Sequence, residues 1–326
     1  MTKLALALCG LGLLGCGAKG GEQAPAQAAT HAPAARAPAA EAAGSLTRWK
    51  GSRVSLWIPE QMRRPSRLAF FKMDDPVVVI AIAEMTAPTG SYEEMLAGAR
   101  SSENFDGEEP VARGNAKGFL GRSKSEKTGL TRQILGIGEG SAAAVIVAQY
   151  EEGAATVVRR ILDSVELDAS AKLDPLAVSG IGVADMAGFE AWDIASQPAI
   201  LADQGARPPV ASDVATFALM SLPYPKPEIS DDELGQMLGS VVGKMQPDMA
   251  KANMRTLAIA GTEAFVVTVP GKKDGEAVGI YAFVLRRPDS AFIGWGDVAL
   301  PRFDETLPRF ERLAKSLRLD DSIFSR

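Results

Sequence analysis

Few side chains in this sequence combine the type and the spacing needed for covalent or metal chemistry. Its two cysteines, Cys9 and Cys16, and its single histidine, His31, all fall within the first 31 of 326 residues. The remaining chain therefore has no Ser–His or Cys–His nucleophile pair and no zinc site built from nitrogen and sulfur. Gly121-Arg122-Ser123 approaches G-x-S-x-G, but position 125 is Ser125. The S-x-x-K, GxxxxGK[ST] and D-x-D-x-D-G patterns do not occur. Adjacent acids stand at Asp74-Asp75, Glu108-Glu109, Glu151-Glu152 and Asp231-Asp232. Neighbours on a strand point to opposite faces and neighbours on a helix diverge by about 100°, so none makes a convergent acid–base pair. The last two pairs fall in first turns of expected helices, where negative charge suits the dipole. We expect no catalytic, cofactor-binding or metal-binding residue, and not an enzyme.

Three further features have a bland reading beside a functional one. Gly136, Gly138 and Gly140 could cradle phosphate, but they join two apolar stretches with no helix start after them, so a hairpin turn is expected. Gly10 to Gly15 spells G-x-G-x-x-G inside an apolar leader with no strand before it, and carries no dinucleotide signal. Trp49, Trp57, Trp192 and Trp295 could offer stacking surfaces. Trp57 lies opposite Val54, Leu56 and Ile58 in an alternating run, a place for packing under a helix or for binding. The charge is −5, from 35 basic and 40 acidic residues. Without a basic stripe carrying interleaved aromatics, nucleic acid is not an expected partner. Arg63-Arg64 and Arg159-Arg160 read as solvated faces.

The elements that would position these groups begin with the leader. Lys3 precedes an apolar run from Leu4 to Leu14, too short for a stable membrane span. Leu13-Leu14-Gly15-Cys16 closes it and resembles the lipobox of bacterial lipoproteins; the competing reading is a secretory signal with an accidental cysteine. The resemblance implies cleavage after residue 15, a diacylglyceryl thioether on Cys16, and membrane anchoring by lipid. Two or three acyl chains, at about 0.8 kcal/mol per buried methylene, make a stable anchor. In two-membrane bacteria, aspartate after that cysteine is the usual inner-membrane retention mark. Gly17 stands there, so the outer membrane, facing the periplasm, is expected. Cys9 leaves with the leader, so the mature chain has no disulfide. Residues 16–45, rich in Ala and Pro, form a tether reaching from about 30 Å when flexible to about 90 Å when extended.

Beyond the tether the composition turns globular, and two stretches of similar plan follow at 46–168 and 173–320. Each has a buried strand (Val77–Ala83; Val214–Met220), a proline-containing loop and an S-x-x-E capping box (Ser91–Glu94; Ser230–Glu233) opening a helix. Ile229 and Leu234 take the staple positions, and Met237, Val241 and Met245 continue one face of the second helix. Each stretch then has a hairpin and a last helix, followed by Ser164-Val165-Glu166-Leu167-Asp168 in one and Ser316-Leu317-Arg318-Leu319-Asp320 in the other. Pro308 should lie in the first turn of its helix, which is placed to start between Asp304 and Leu307. Strands in a meander with grouped helices favour an α+β fold, two antiparallel sheets covered by helices.

This order of elements resembles the PsbP-like α/β/α sandwich, shared by photosystem PsbP, the nuclear Ran-release factor Mog and envelope lipoproteins of the DcrB and LpqN type. The segment Gly188 to Asp203 departs from the first stretch. The resemblance implies a non-catalytic binding or assembly role with no catalytic residues to carry over. The expected partners are the membrane, through lipid on Cys16, and an unidentified envelope protein. A small-molecule or lipid-binding lipoprotein is the alternative, and an enzyme independent of histidine and cysteine the remaining one.

Overall fold

The computed structural model describes residues 43–64, 70–87, 91–101, 103–125, 128–195, 198–206, 210–223, 229–242, 254–287 and 290–319. The leader, Cys16, Gly17, His31 and the tether to residue 42 lie outside them, as do Pro225, Pro227, Met245 and Asp320.

The first part contains β1 (Gly44–Arg48), β2 (Val54–Pro59), β3 (Phe70–Asp74), β4 (Val77–Thr86), α1 (Tyr92–Ser101), β5 (Gly107–Arg113), β6 (Ala116–Lys124), β7 (Thr131–Glu139), β8 (Ala142–Tyr150), α2 (Ala155–Asp163) and β9 (Glu166–Leu167). The second contains α3 (Pro175–Val178), β10 (Ile181–Val183), β11 (Phe189–Ala191), β12 (Ile194–Ala195), β13 (Ala199–Asp203), β14 (Thr216–Pro223), α4 (Asp231–Val242), β15 (Arg255–Ile259), β16 (Thr262–Lys273), β17 (Glu276–Arg286), β18 (Ser290–Ala299), α5 (Phe303–Lys315) and β19 (Leu317–Leu319).

The fold is α+β, with two seven-stranded sheets whose strand pairs are all antiparallel. One runs β4-β8-β7-β6-β5 and the other β14-β18-β17-β16-β15, the same order relative to the chain. The strand after each last helix also pairs alike: β9 with β2, β19 with β10. Each sheet is apolar on both faces, because each face meets another layer. In the first sheet, Leu96 and Ala99 of α1 pack on Phe119, Ile134 and Val145. On the other face, Val158, Ile161 and Leu162 of α2 join Val54, Leu56, Ile80 and Ile146. In the second, α4 brings Leu234 and Leu238 to Ile280 and Ile293, while α5 brings Phe310 and Leu313 to Phe217 and Tyr281. Burial on both faces explains why β8 reads as a nearly continuous apolar run rather than an alternating one.

The second capping box forms in full: Glu233 N donates to Ser230 Oγ at 3.3 Å and Ser230 N to Glu233 Oε2 at 2.8 Å. At α1 the Ser91 hydroxyl meets the carboxylate of Glu93, the residue before the expected Glu94.

Two local expectations are corrected. Gly136 and Gly138 are not a turn; they lie inside β7, and the reversal comes at Gly140, whose φ is +58°. The glycines are there because a neighbouring ring sits where a side chain would be: a Cβ on Gly136 would lie 2.6 Å from Phe119 Cε1, and one on Gly138 would strike the Tyr92 ring. Likewise α5 begins at Phe303 behind a 3-10 turn at Leu300–Arg302, so Pro308 lies within the helix rather than in its first turn.

The segment that departed from the first stretch turns out to join the sheets. Between β11 and β13, both in the second sheet, β12 crosses to the first and pairs with β4, placing Ala195 opposite Glu84 and Ile194 opposite Met85.

Candidate functional site

The lipidation candidate Cys16 lies outside the described residues, which leaves the acidic pairs and the tryptophans as the chemistry-bearing side chains. The acidic pairs separate as backbone geometry requires. Glu108 pairs with Arg100 at 2.9 Å and Glu109 with Arg159 at 3.0 Å, on opposite faces of β5. Asp74 is held below the usual carboxylate range, first by its hydrogen bond from Lys72 and then by that from Arg63. Glu152 takes Thr131 Oγ1 at 3.0 Å, and Asp231 pairs with Arg286. No pair converges on a shared point. Among the described residues no group of three or more His, Cys, Asp or Glu is placed to hold a metal ion. No helix among them is long and apolar enough to cross a membrane.

The tryptophans do not share one surface. Trp49 and Trp57 belong to the core beneath α2, whereas Trp295 packs half-buried in the core beneath α4. Trp57 is buried, with the Arg160 guanidinium 4.0 Å from its ring centroid and its backbone N–H donating 2.7 Å to Ser164 Oγ. It is therefore a packing residue under α2, closed off by the arginine stem and head. Trp49 lies against Phe71, ring centroids 4.8 Å apart. An open groove of about 760 Å³ follows α2, lined by Ala155, Thr156, Arg159, Arg160, Asp163 and Ser164. Its charges are largely mutual, since Arg159 meets Asp163 at 3.0 Å and Arg113 meets Asp163 at 2.9 Å.

The group the sequence did not single out is Glu84. It is 1% exposed, at the end of β4 where β12 arrives. Oε1 is 2.5 Å from Ser52 Oγ and Oε2 accepts Arg53 N at 2.6 Å. Burial raises its pKa, against the lowering influence of Ser52, the Arg53 backbone and the Arg53 and Arg48 charges. The surrounding seam is well tied. Arg53 donates to Thr86 Oγ1 at 2.8 Å and Ala171 O at 2.8 Å, Asp174 N to Gly51 O at 2.9 Å, and Arg64 to Val178 O at 2.6 Å. Leu173, Val178 and Ala195 form a small apolar cluster beside it. The other buried acid among the described residues, Asp297 on β18, is different: Lys273 Nζ lies 2.6 Å away and Thr216 Oγ1 3.1 Å.

Fold and surface together define a tandem pair of helix-covered antiparallel sheets with paired surface carboxylates. No family model matches the chain, and no curated protein matches it by sequence. Among solved structures, LpqN of Mycobacterium tuberculosis, involved in cell envelope biogenesis, aligns at 10% identity and TM-score 0.32 over 43% of this chain and 83% of its own. Cyanobacterial PsbP of Synechocystis aligns at 13% identity and TM-score 0.26 over 43% of this chain and 91% of its own. The immunity protein TplEi of the Pseudomonas aeruginosa type VI secretion system aligns at 12% identity and TM-score 0.33, over 84% of this chain and 97% of its own.

Proposed function

We propose that this protein is a lipid-anchored lipoprotein of the cell envelope that serves as a non-catalytic binding or assembly module. The observation that carries the reading is Leu13-Leu14-Gly15-Cys16 behind Lys3 and an apolar run too short to span a bilayer. The Ala/Pro-rich stretch after it ends where β1 begins at Gly44, so the tether would deliver the sheets away from the membrane surface. With multiple acyl chains as anchor, Gly17 beside Cys16 supports transfer to the outer membrane, facing the periplasm. The non-catalytic part rests on the adjacent acids, of which Glu108, Glu109, Asp74 and Asp231 meet separate basic side chains rather than a common point. The partner would be another envelope protein.

Labelling with a fatty-acid analogue tests the anchor: the wild-type chain should take the label and Cys16→Ser should not, remaining as unprocessed precursor. Density-gradient fractionation tests the address. Recovery with inner-membrane markers, unchanged by Gly17→Asp, would refute the sorting assignment. For the partner, photo-crosslinkers at Leu46 and Leu300, 59% and 42% exposed, should yield a discrete adduct with an envelope protein only when Cys16 is intact. Adducts unaffected by Cys16→Ser would count against a membrane-delivered module.

A further inference from the structure

The seam between the sheets holds a carboxyl group whose hydrogen bonds balance only if it carries a proton. Three contacts meet at Ser52 Oγ: it accepts Val54 N–H at 2.9 Å, faces Val54 O at 3.1 Å, and faces Glu84 Oε1 at 2.5 Å. A hydroxyl has one proton and two acceptor lone pairs. If Glu84 is ionised, that proton goes to the carboxylate and the contact with Val54 O is lost. If Glu84 is protonated at Oε1, it donates to Ser52 Oγ, Ser52 donates to Val54 O, and Oε2 still accepts from Arg53 N. Every contact is then made.

The charges around the group do not favour ionisation enough to reverse this. The two guanidinium groups acting on Glu84 are engaged elsewhere, Arg53 with Thr86 and Ala171, Arg48 with Asp168 at 3.0 Å. Asp168 is itself held ionised below the ordinary range, by Ser170 first and Arg48 second, so it compensates Arg48's charge. On the β12 side the charged residue is Asp193, whose backbone carbonyl accepts Thr86 N–H at 2.9 Å. From the linker between the sheets come Asp174, capping α3 through Ala177 N, and from the turn after β2 comes buried Arg64, bonded to Val178 O. A carboxylate in such a place, with no cationic group in contact, gives up its hydration without a matching replacement.

We propose that Glu84 is a neutral carboxylic acid that makes the contact between the two sheets depend on pH. Loss of its proton to solvent leaves a buried charge that can be hydrated only by opening the seam. The element that yields is β12, a strand of two residues facing Glu84 and the shortest piece of the first sheet. Because the folded pKa lies above the unfolded one, the stabilisation is fully present below the ordinary glutamate pKa, about 4.3, and is lost as pH rises through the raised value.

Hydrogen exchange on the full chain across this pH range, corrected for intrinsic chemistry, reads the opening. Protection in peptides covering residues 190–195 should fall by about tenfold per pH unit between the two pKa values and then level off, as release of one proton demands. In Glu84→Gln, whose amide can donate to Ser52 Oγ and accept from Arg53 N, the protection should be flat with pH. Equal pH dependence in the two proteins would overturn the proposal. A ¹³C titration of the wild-type Glu84 carboxyl decides independently of whether the variant folds: an apparent pKa at or below about 4.3 would overturn it, and a higher one supports it.

Discussion

Phe310 sits where α5 meets the second sheet, and the surrounding geometry makes a quantitative claim about it. The ring is fully buried, stacked with Phe189 at 5.7 Å and Tyr281 at 6.3 Å and tilted against Phe217 at 5.6 Å. It also lies over Gly296 of β18, where a Cβ would come within 2.7 Å of both Phe310 Cδ1 and Phe217 Cδ2. Phe310→Ala should cost about 3–5 kcal/mol, the range for emptying an aromatic site in a core. Gly296→Ala should cost about 1–3 kcal/mol by overpacking. Combined, they should cost less than their sum, because the alanine at 296 then faces the space left by one of its two obstructing rings. The coupling should exceed about 0.5 kcal/mol, though the Phe217 contact prevents full rescue. Two sheets need not unfold in one step, so the free energies are best read from native-state exchange of β17 and β18 amides rather than from one denaturation midpoint. Additivity within about 0.3 kcal/mol, or a loss below about 1 kcal/mol for Phe310→Ala, would refute this account of the core.

Other outcomes follow from individual contacts. Ser230→Ala should destabilise α4 by about 1 kcal/mol, measured by exchange of its first-turn amides, because Glu233 N loses its acceptor. Ser230→Asp should retain most of the stability. Arg309→Lys should cost about 1–3 kcal/mol by native-state exchange of the second sheet's amides, since Arg309 donates to Ala187 O at 2.9 Å and Asp203 Oδ1 at 2.8 Å while lying 4.4 Å from the Phe189 ring centroid. Elemental analysis of tag-free protein should find no stoichiometric zinc, and one bound equivalent would contradict the absence of thiol and imidazole ligands beyond residue 31.

The paired architecture was legible because its signals are local. Ser230-Asp231-Asp232-Glu233 carries its own cap within four residues, and Val158, Ile161 and Leu162 announce the buried stripe of α2 by spacing alone. The glycines of β7 misled for a reason of distance in the chain. Gly136 and Gly138 have the composition of a turn, yet what requires them is Phe119 on β6 and Tyr92 on α1, remote residues whose rings occupy the missing side-chain positions. Pro308 misled similarly: its local rule places it in a first turn, and the helix instead extends back to Phe303, whose ring packs over Gly279.

Glu84 was hidden by the same physics that makes it informative. In sequence it follows the apolar run of β4, and a charged residue there reads as the strand's exit into water. Whether water is present depends on residues far along the chain, because β12 lies beside Glu84 and the 168–178 linker closes the turn that carries Ser52 and Arg53. Neither element has a strong propensity of its own; β12 is two residues long and comes from a segment otherwise committed to the second sheet. A sequence pattern reports the period of one element, whereas the state of a carboxyl group depends on everything that excludes water from it. Asp297 shows the contrast within the same protein: also buried, it has Lys273 Nζ beside it at 2.6 Å, from the end of β16. Glu84 has the Ser52 hydroxyl and the Arg53 backbone N–H in contact rather than an ammonium or guanidinium group, and a proton completes those hydrogen bonds. The junction that the sequence left undefined is therefore the place where the tandem fold can respond to its surroundings.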